Sequence, residues 1–287
     1  MFLVSICIPT YNRQNELKRF FESIDYLGDK VEFVVCDDGS TDNTKALVEE
    51  YASRFNIRYL YQKNQGRAVA LRHAIKHANG EFVMLMDSDD YFLPNALTLI
   101  IDKVTANAQH DCFIFGVKIL KDNTFIDNLP PRFKCSNFIS LRADYGIKRD
   151  LKEVVKTDLL KTCLYDETIG CRRVPTYLLW AKVAQLSDCL TISVPVAVKE
   201  YLPGGMSDKI LQLKSTYAQP MVELYALLAN TTRYKSNIYR WRSRLLWARY
   251  AFHAKMINFN AWWKPFIVPF GFGIYLLDKK KLKKLSK

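Results

Sequence analysis

Phe82-Val83-Met84-Leu85-Met86-Asp87-Ser88-Asp89-Asp90 joins five apolar residues to three carboxylates in four positions. The apolar run has the length and composition of a buried β-strand. Asp is disfavoured inside strands, so the carboxylates mark the point where the chain leaves a sheet. Three like charges so close together repel. A hard divalent cation, Mg²⁺ or Mn²⁺, relieves that repulsion and keeps coordination positions open for substrate phosphates. An acid-rich loop without a ligand is the competing reading, because loops favour Asp and Ser.

Outward from this stretch, strand and helix signals alternate. Leu3–Ile8, Glu32–Cys36 and Arg58–Tyr61 read as strands, and residues 82–86 as the fourth. Between them, Leu17/Phe20/Phe21/Ile24, Leu47/Val48/Tyr51 and Ala68/Leu71/Ile75/Ala78 recur at helical spacing. Ser40 or Thr41 can cap the second helix, and Asn79-Gly80 ends the third. Leu97, Ile100, Ile101 and Val104 form a helix after Pro94. Such alternation predicts an α/β fold with a mostly parallel, doubly wound sheet. Ligands bind outside the carboxyl ends of strands in such sheets. Those ends carry Pro9-Thr10-Tyr11-Asn12, Asp37-Asp38-Gly39-Ser40, Gln62-Lys63-Asn64 and Asp87-Ser88-Asp89, whereas the opposite rim shows only turn residues. Farther on, 113–117 and 191–198 read as strands, and 154–164 and 178–186 as helices.

The 287 residues are 49% hydrophobic, which excludes wholesale disorder. Seven scattered cysteines, with no CxxC pair, read as buried thiols in a reducing compartment. The N-terminus lacks a basic n-region and reads as a first strand. Net charge is +13. Residues 214–287 hold 15 Lys/Arg and two acids, Glu223 and Asp278; subtraction from the totals of 42 and 29 leaves 27 of each sign in 1–213. The excess lies wholly in the tail and points to an anionic partner.

Within the tail, 216–228 reads as an apolar helix. In 237–256, Ile238, Trp241, Leu245, Ala248 and Phe252 form an apolar stripe flanked by Arg240, Arg242, Arg244 and Arg249. Trp262-Trp263, an apolar stretch to Leu277 and a Lys-rich end follow. About 20 apolar residues are needed to span a bilayer. This stretch is shorter and contains Pro269, Gly271 and Gly273. Aromatics beside Lys and Arg suit the headgroup interface instead. The expected partner of 237–287 is therefore an anionic membrane surface. Nucleic acid fits the basic and aromatic content but not the apolar stretch. Packing on the rest of the chain, or on a second copy in a homo-oligomer, is the structural alternative.

Val4–Asn12, Cys36–Asp42, Asn64-Gln65-Gly66-Arg67-Ala68, Gly80-Glu81 and Asp87–Asp90 together resemble, in order and spacing, the family-2 inverting glycosyltransferases. The resemblance covers roughly residues 3–105, weakens over 110–205 and is absent after about 210. It implies the GT-A fold, a nucleotide-diphospho-sugar donor (a UDP-sugar by family habit) and a Mn²⁺ or Mg²⁺ cofactor. Pro9, Thr10 and Tyr11 would border the base, Asp38 would hydrogen-bond it, and Asp37 would support that loop. Asp87, with Ser88 beside it, would contact the ribose or the metal, Asp89 would ligate the metal, and Arg67 would face the phosphates. Family habit and the basic tail together imply a lipid-linked or polysaccharide acceptor in capsule, O-antigen or lipopolysaccharide assembly. They place the protein in the cytoplasm, peripheral on the inner membrane face.

Inversion requires a carboxylate base. Counting back from Trp180, Thr176 stands where relatives carry an acid. Asp166 and Glu167 are the candidate bases, and Arg172-Arg173 the candidate contacts for an anionic acceptor. The missing acid keeps a second reading open, a nucleotide-sugar-binding scaffold of a synthase complex. Tyr201–Ser207 resembles the loop that closes the family's catalytic domain. The expected organisation is a glycosyltransferase domain at 1–212 (donor half 1–108, acceptor half 109–212) and a membrane-association region at 213–287.

Overall fold

A computed structural model describes all residues except 27, 122–123, 129–135, 148–149, 166–170, 201–209 and 286–287. In chain order the elements are β1 (Val4–Thr10), α1 (Gln14–Glu22), β2 (Val31–Asp37), α2 (Thr44–Tyr51), β3 (Ile57–Tyr61), α3 (Arg67–Lys76), β4 (Phe82–Leu85), β5 (Tyr91–Phe92), α4 (Ala96–Ala106), β6 (Cys112–Lys121), β7 (Thr124–Asn128), α5 (Phe138–Ala143), β8 (Lys152–Lys156), α6 (Thr157–Thr162), α7 (Thr176–Leu186), β9 (Leu190–Glu200), α8 (Ile210–Thr216), α9 (Gln219–Asn230), α10 (Asn237–Ala254) and α11 (Lys264–Leu285). They group into two compact units. One comprises Met1–Asn137, Ile147–Leu164 and Leu186–Leu202; the other comprises Phe138–Gly146, Tyr165–Gln185 and Pro203–Lys287.

The first unit holds a sheet of order β3-β2-β1-β4-β8-β6-β9-β5, with β7 paired to β6. β3, β2, β1 and β4 are mutually parallel, as the alternating pattern predicts. The residues of β1, β2 and β4 are buried on both faces, those of the edge strand β3 are half-buried or exposed, and the core runs through Ile6, Ile8, Phe33, Val35, Met84 and Phe113. Phe20 and Phe21 of α1 pack edge-on against Phe33, and Phe21 stacks on Tyr51 of α2. Because the four strands run one way in register (Thr10 beside Asp37, Asp37 beside Tyr61, Cys7 beside Leu85), their carboxyl ends share one rim.

Three local readings are corrected. Residues 154–164 are not one helix: Lys152–Lys156 is strand β8, wedged antiparallel between β4 and β6, and α6 follows. Val154 and Val155 meet the β-branched preference of a central strand, and that tertiary slot overrides the helical spacing. Neither Ser40 nor Thr41 caps α2. Asp42 Oδ1 accepts from the Thr44 amide instead, and Ser40 Oγ accepts from the Asn12 amide. The opposite rim is more than turns. Glu32 is buried there, accepting from Ser5 Oγ at 2.5 Å and the Asn79 amide at 2.6 Å. The Gly80 amide donates to Ser5 Oγ at 2.7 Å, and a Cβ on Gly80 would lie 2.7 Å from the Ser5 amide nitrogen. This buried network fastens the start of β4 to β1 and β2.

The second unit is helical in its described residues. α9, α10 and α11 pack together, with Trp247 edge-on to Trp263 and Tyr225 stacked on Tyr250. The α10 stripe expected from spacing is only partly the buried one. Ala248 is buried, but Ile238 and Trp241 are exposed, and Ser243, Trp247, Tyr250 and Ala251 complete the inner face. Pro269 and the glycines do not interrupt α11, which runs for 22 residues.

Candidate active site

The carboxyl-end rim is built from three loops. Asn12 and Gly39 adopt positive φ, 50° and 84°, so the chain turns sharply after β1 and β2. Thr10 is buried with its hydroxyl unpartnered among the described residues, and Tyr11 is exposed beside it. Asp37 Oδ1 accepts from the Ser40 amide at 2.7 Å and Oδ2 from the Tyr59 hydroxyl at 2.7 Å. Asp38 is buried. Its carboxylate accepts from Gln62 Nε2 and the Gln65 and Gly66 amides, each at 2.8 Å. Asp38 thereby pins the loop that starts α3, and Gly66 enters that helix at φ 100°. A Cβ on Gly39 would lie 2.9 Å from the Asn64 amide nitrogen, so the two loops touch through backbone.

The turn after β4 divides its three carboxylates. Arg67 donates to Asp87 Oδ1 through Nε at 2.8 Å and through Nη2. Lys199 of β9 stands 3.4 Å from Asp87 Oδ2, 3.5 Å from Asp90 Oδ2 and 3.6 Å from Asp150. Lys152 of β8 donates to Asp90 Oδ2 at 2.6 Å, and both partners are buried. Asp89 alone of the three makes no hydrogen bond or ion pair with its side chain among the described residues. Its main-chain carbonyl accepts from Arg19 Nη2 at 2.8 Å; Arg19 also lies over Tyr91 and donates to Glu200 at 2.7 Å.

The electrostatics follow this division. Burial opposes the charge on Asp87, yet Arg67, Lys199 and Lys152 outweigh it and hold the carboxyl well below the usual range. Burial likewise opposes charge on Lys199, but Asp90, Asp87, Asp150 and Asp89 hold its ammonium well above the ordinary value. Asp89 moves the other way: burial, then the negative charges of Asp87 and Asp90, push its carboxyl up. The turn thus presents one carboxylate with no hydrogen bond or close ion pair among the described residues, its nearest opposing charges being the more distant Lys199 and Arg13. The described residues contain no preassembled group of three or more metal-ligating side chains. A lone unpaired carboxylate suits Mg²⁺ or Mn²⁺, which take one or two protein oxygens and complete their shell with phosphates and water.

Sequence reading brought Pro9, Thr10, Tyr11, Asp37, Asp38, Arg67, Asp87, Ser88 and Asp89 to this rim, and the structure places all of them there. Arg67 is turned onto Asp87. Lys152, Lys199 and Arg19 were missed. Lys199 ends the buried run Val196-Ala197-Val198, and a cation closing an apolar strand is the signal that was available. Asp90 is fully buried and ion-paired, so it has no route to an acceptor hydroxyl. Arg172 is exposed and Arg173 half-buried, both before α7 in the second unit. Asp166, Glu167 and the Tyr201–Ser207 loop lie outside the described residues. His73 and His77 form no metal pair: His73 Nδ1 lies 3.1 Å from Gln62 Oε1 and 3.6 Å from Cys36 Sγ.

Known proteins are similar to this chain. Chondroitin synthase of Escherichia coli is 37% identical over 112 residues, 38% of this chain and 16% of that protein. UDP-Glc:alpha-D-GlcNAc-diphosphoundecaprenol beta-1,3-glucosyltransferase WfgD of Escherichia coli is 32% identical over 128 residues, 44% of this chain and 49% of that protein. The chain therefore spans less than half the length of these two relatives. Among solved structures, Staphylococcus aureus TarS 1-349 in complex with UDP-GlcNAc superimposes with a TM-score of 0.65 at 18% identity, over 90% of this chain and 74% of that one. That likeness establishes the fold as GT-A. Residues 5–166, more than half of the chain, match the family model described as Glycosyl transferase family 2, and the chain belongs to that family.

Proposed function

We propose that the chain transfers a sugar, with inversion, from a nucleotide-diphospho-sugar, a UDP-sugar first of all, to a lipid-linked or polysaccharide acceptor in cell-surface glycan assembly. The observation that carries this reading is the uncompensated carboxylate of Asp89 on the rim where Asp37, Asp38 and Asp87 converge. The names of relatives and neighbours support it. WfgD is named for a UDP-glucose donor and a diphosphoundecaprenol acceptor, and a Pyrobaculum calidifontis mannosyltransferase of TM-score 0.51 was solved with GDP-Man and Mn2+.

In this reading the base lies between Tyr11 and the loop pinned by Asp38. Asp87 and its cations hold the turn rigid, and Asp89 is the protein ligand of the divalent metal, with Asp87 next to the ribose. Sugar transfer develops positive charge at the anomeric carbon and negative charge on the departing diphosphate. A divalent metal bound there would neutralise the leaving diphosphate as a Lewis acid. Arg67 and Lys199 add fixed positive charge on the same side. Asp166 and Glu167 are proposed as the base that takes the acceptor proton, and Arg172 and Arg173 as contacts for a phosphate-bearing acceptor.

Incubation of the full chain with UDP-, GDP- and dTDP-sugars and Mn²⁺ tests the assignment, with donor hydrolysis and transfer as readouts. Turnover of one donor class, lost on addition of EDTA, is the expected result. Donor binding without turnover would favour the scaffold reading, and turnover indifferent to EDTA would remove the metal role.

A further inference from the structure

The outer face of α11 carries large exposed apolar side chains beside a run of exposed lysines. Its inner face is built to pack: Trp263, Ile267, Gly271 and Asp278 are buried at intervals of four, four and seven. Gly271 is required there, since a Cβ would lie 2.3 Å from the Cβ of Ala248 on α10. Asp278 accepts from Arg249 Nε at 2.6 Å and Nη2 at 2.7 Å, with His253 Nε2 at 3.1 Å. These contacts fix which side of α11 faces outward.

The outward side begins with Phe266 and Phe270, each 67% exposed, and continues one helical stripe on with Gly273 and Leu277, which is 60% exposed. Phe272 and Leu276 flank the stripe and are exposed too, as is Trp262 just before the helix. Lys279, Lys280, Lys281 and Lys283 then carry the exposed surface through the last described turns. At 1.5 Å per residue, the face runs about 22 Å from Phe266 to Lys281. A contiguous apolar strip of this kind, rimmed by charge, marks an interaction surface.

The chemistry of the strip selects its occupant. Asp278 is the only acid in residues 237–287, and it is buried against Arg249, so the exposed surface of α11 carries cations alone. Arg244 lies over the Trp241 and Trp262 rings at 4.8 and 5.1 Å, so both exposed indoles stand beside a guanidinium. Exposed aromatics beside lysines on one helix match the headgroup zone of an anionic bilayer. No helix of the described residues is long and apolar enough to cross a membrane. We propose that the outer face of α11, with Trp262, is a monolayer-docking wedge: Phe266, Phe270 and Leu277 enter the headgroup boundary of an anionic bilayer while Lys279, Lys280, Lys281 and Lys283 bind lipid phosphates. The wedge replaces the α10 stripe as the docking face, because that stripe is half consumed by packing. It rests on α11 alone and stands whatever the donor or the reaction.

Vesicle co-sedimentation of the full chain tests it, with phosphatidylcholine vesicles lacking or containing phosphatidylglycerol. Binding to the anionic vesicles only, weakened by salt, is expected. Lys279→Glu, Lys280→Glu and Lys281→Glu should each lower affinity about 5-fold or more. Phe266→Ser/Phe270→Ser should abolish residual binding in salt while leaving the circular-dichroism melt unchanged, since both rings are exposed. Quenching of tryptophan fluorescence by brominated lipid should fall in Trp262→Ser. Equal binding to neutral and anionic vesicles, or to neither, overturns the proposal. So does a homodimer in light scattering that Phe270→Ser converts to monomer, because a second copy would then cover the face. Sugar transfer measured on a soluble acceptor is independent of these outcomes, so failure of the wedge and failure of the transferase reading separate.

Discussion

The turn after β4 and the end of α11 solve opposite charge problems. The turn gathers three carboxylates at a sheet rim and leaves one without a hydrogen bond or ion pair among the described residues, whereas the end of α11 gathers lysines on an exposed surface. The difference lies in burial. Asp87 and Asp90 are held within the fold, where an uncompensated charge is costly, so Arg67, Lys152 and Lys199 are drawn in from three other elements. Lys279, Lys280, Lys281 and Lys283 of α11 are exposed, where water and salt screen them. Inside α11 the same rule returns at small scale: its single acid is buried, and Arg249 and His253 meet it. A carboxylate at a rim and a run of exposed lysines on a helix are therefore the two places in the fold suited to ligands of opposite charge.

The sharpest break of this comparison is Lys152→Met. It leaves Asp90 buried with only the more distant Lys199, and should cost about 3–5 kcal/mol in urea unfolding. Asp90→Asn with Lys152→Met should restore most of that loss, which identifies the pair rather than packing as the cause. Next comes Asp89→Ala, which should lower turnover by about 10²–10³-fold, the scale of one lost electrostatic contact to a leaving group. Its thermal midpoint should not fall, because the carboxylate has no partner in the fold.

In the helical unit, Gly271→Ala should cost about 1–3 kcal/mol by driving a methyl into Ala248. The fluorescence of Trp247 and Trp263 at the same interface reports whether the helices part.

The pH dependence sharpens the acidic side. Burial and the charges of Asp87 and Asp90 raise the Asp89 carboxyl from its ordinary value, so its proton is bound more tightly in the fold than in the unfolded chain. The metal-free fold therefore loses stability as pH rises through that raised value, and Asp89→Asn should raise the melting point at neutral pH, as read by calorimetry. Cations need the ionised form, so Mn²⁺ affinity should start to fall, on acidification, at a higher pH than for an ordinary aspartate. Titration calorimetry across pH measures this, and Asp89→Asn should flatten the profile. The smallest expected effect is on stability at the basic end. Lys280→Glu should change unfolding free energy by less than about 0.5 kcal/mol, since an exposed lysine without a partner holds nothing in the fold.

Much of the carboxyl-end rim was legible in the chain. The four parallel strands announced themselves through apolar runs broken by helical spacing, and each run ended in the polar residues that now share a rim. β8 was not legible, because its five residues are as short as a helical turn and only the slot between β4 and β6 makes them a strand. Nor were the partners of the acidic turn: Lys152 and Lys199 stand 62 and 109 positions beyond Asp90, and no periodicity links them. In the tail, spacing located the apolar residues of α10 but could not tell an inward stripe from an outward one. The two units are also each assembled from separated segments, so one cut along the chain cannot describe them.

The amino-acid sequence by itself determined which residues favour strand or helix, where acids and lysines concentrate, and hence the family. Those are local or additive properties, readable from composition and period. Tertiary structure alone decided which carboxylate is left uncompensated and which side of α11 faces out. Both depend on pairing and burial between segments far apart in the chain, and electrostatic and packing energies are set by distance in space rather than along the sequence.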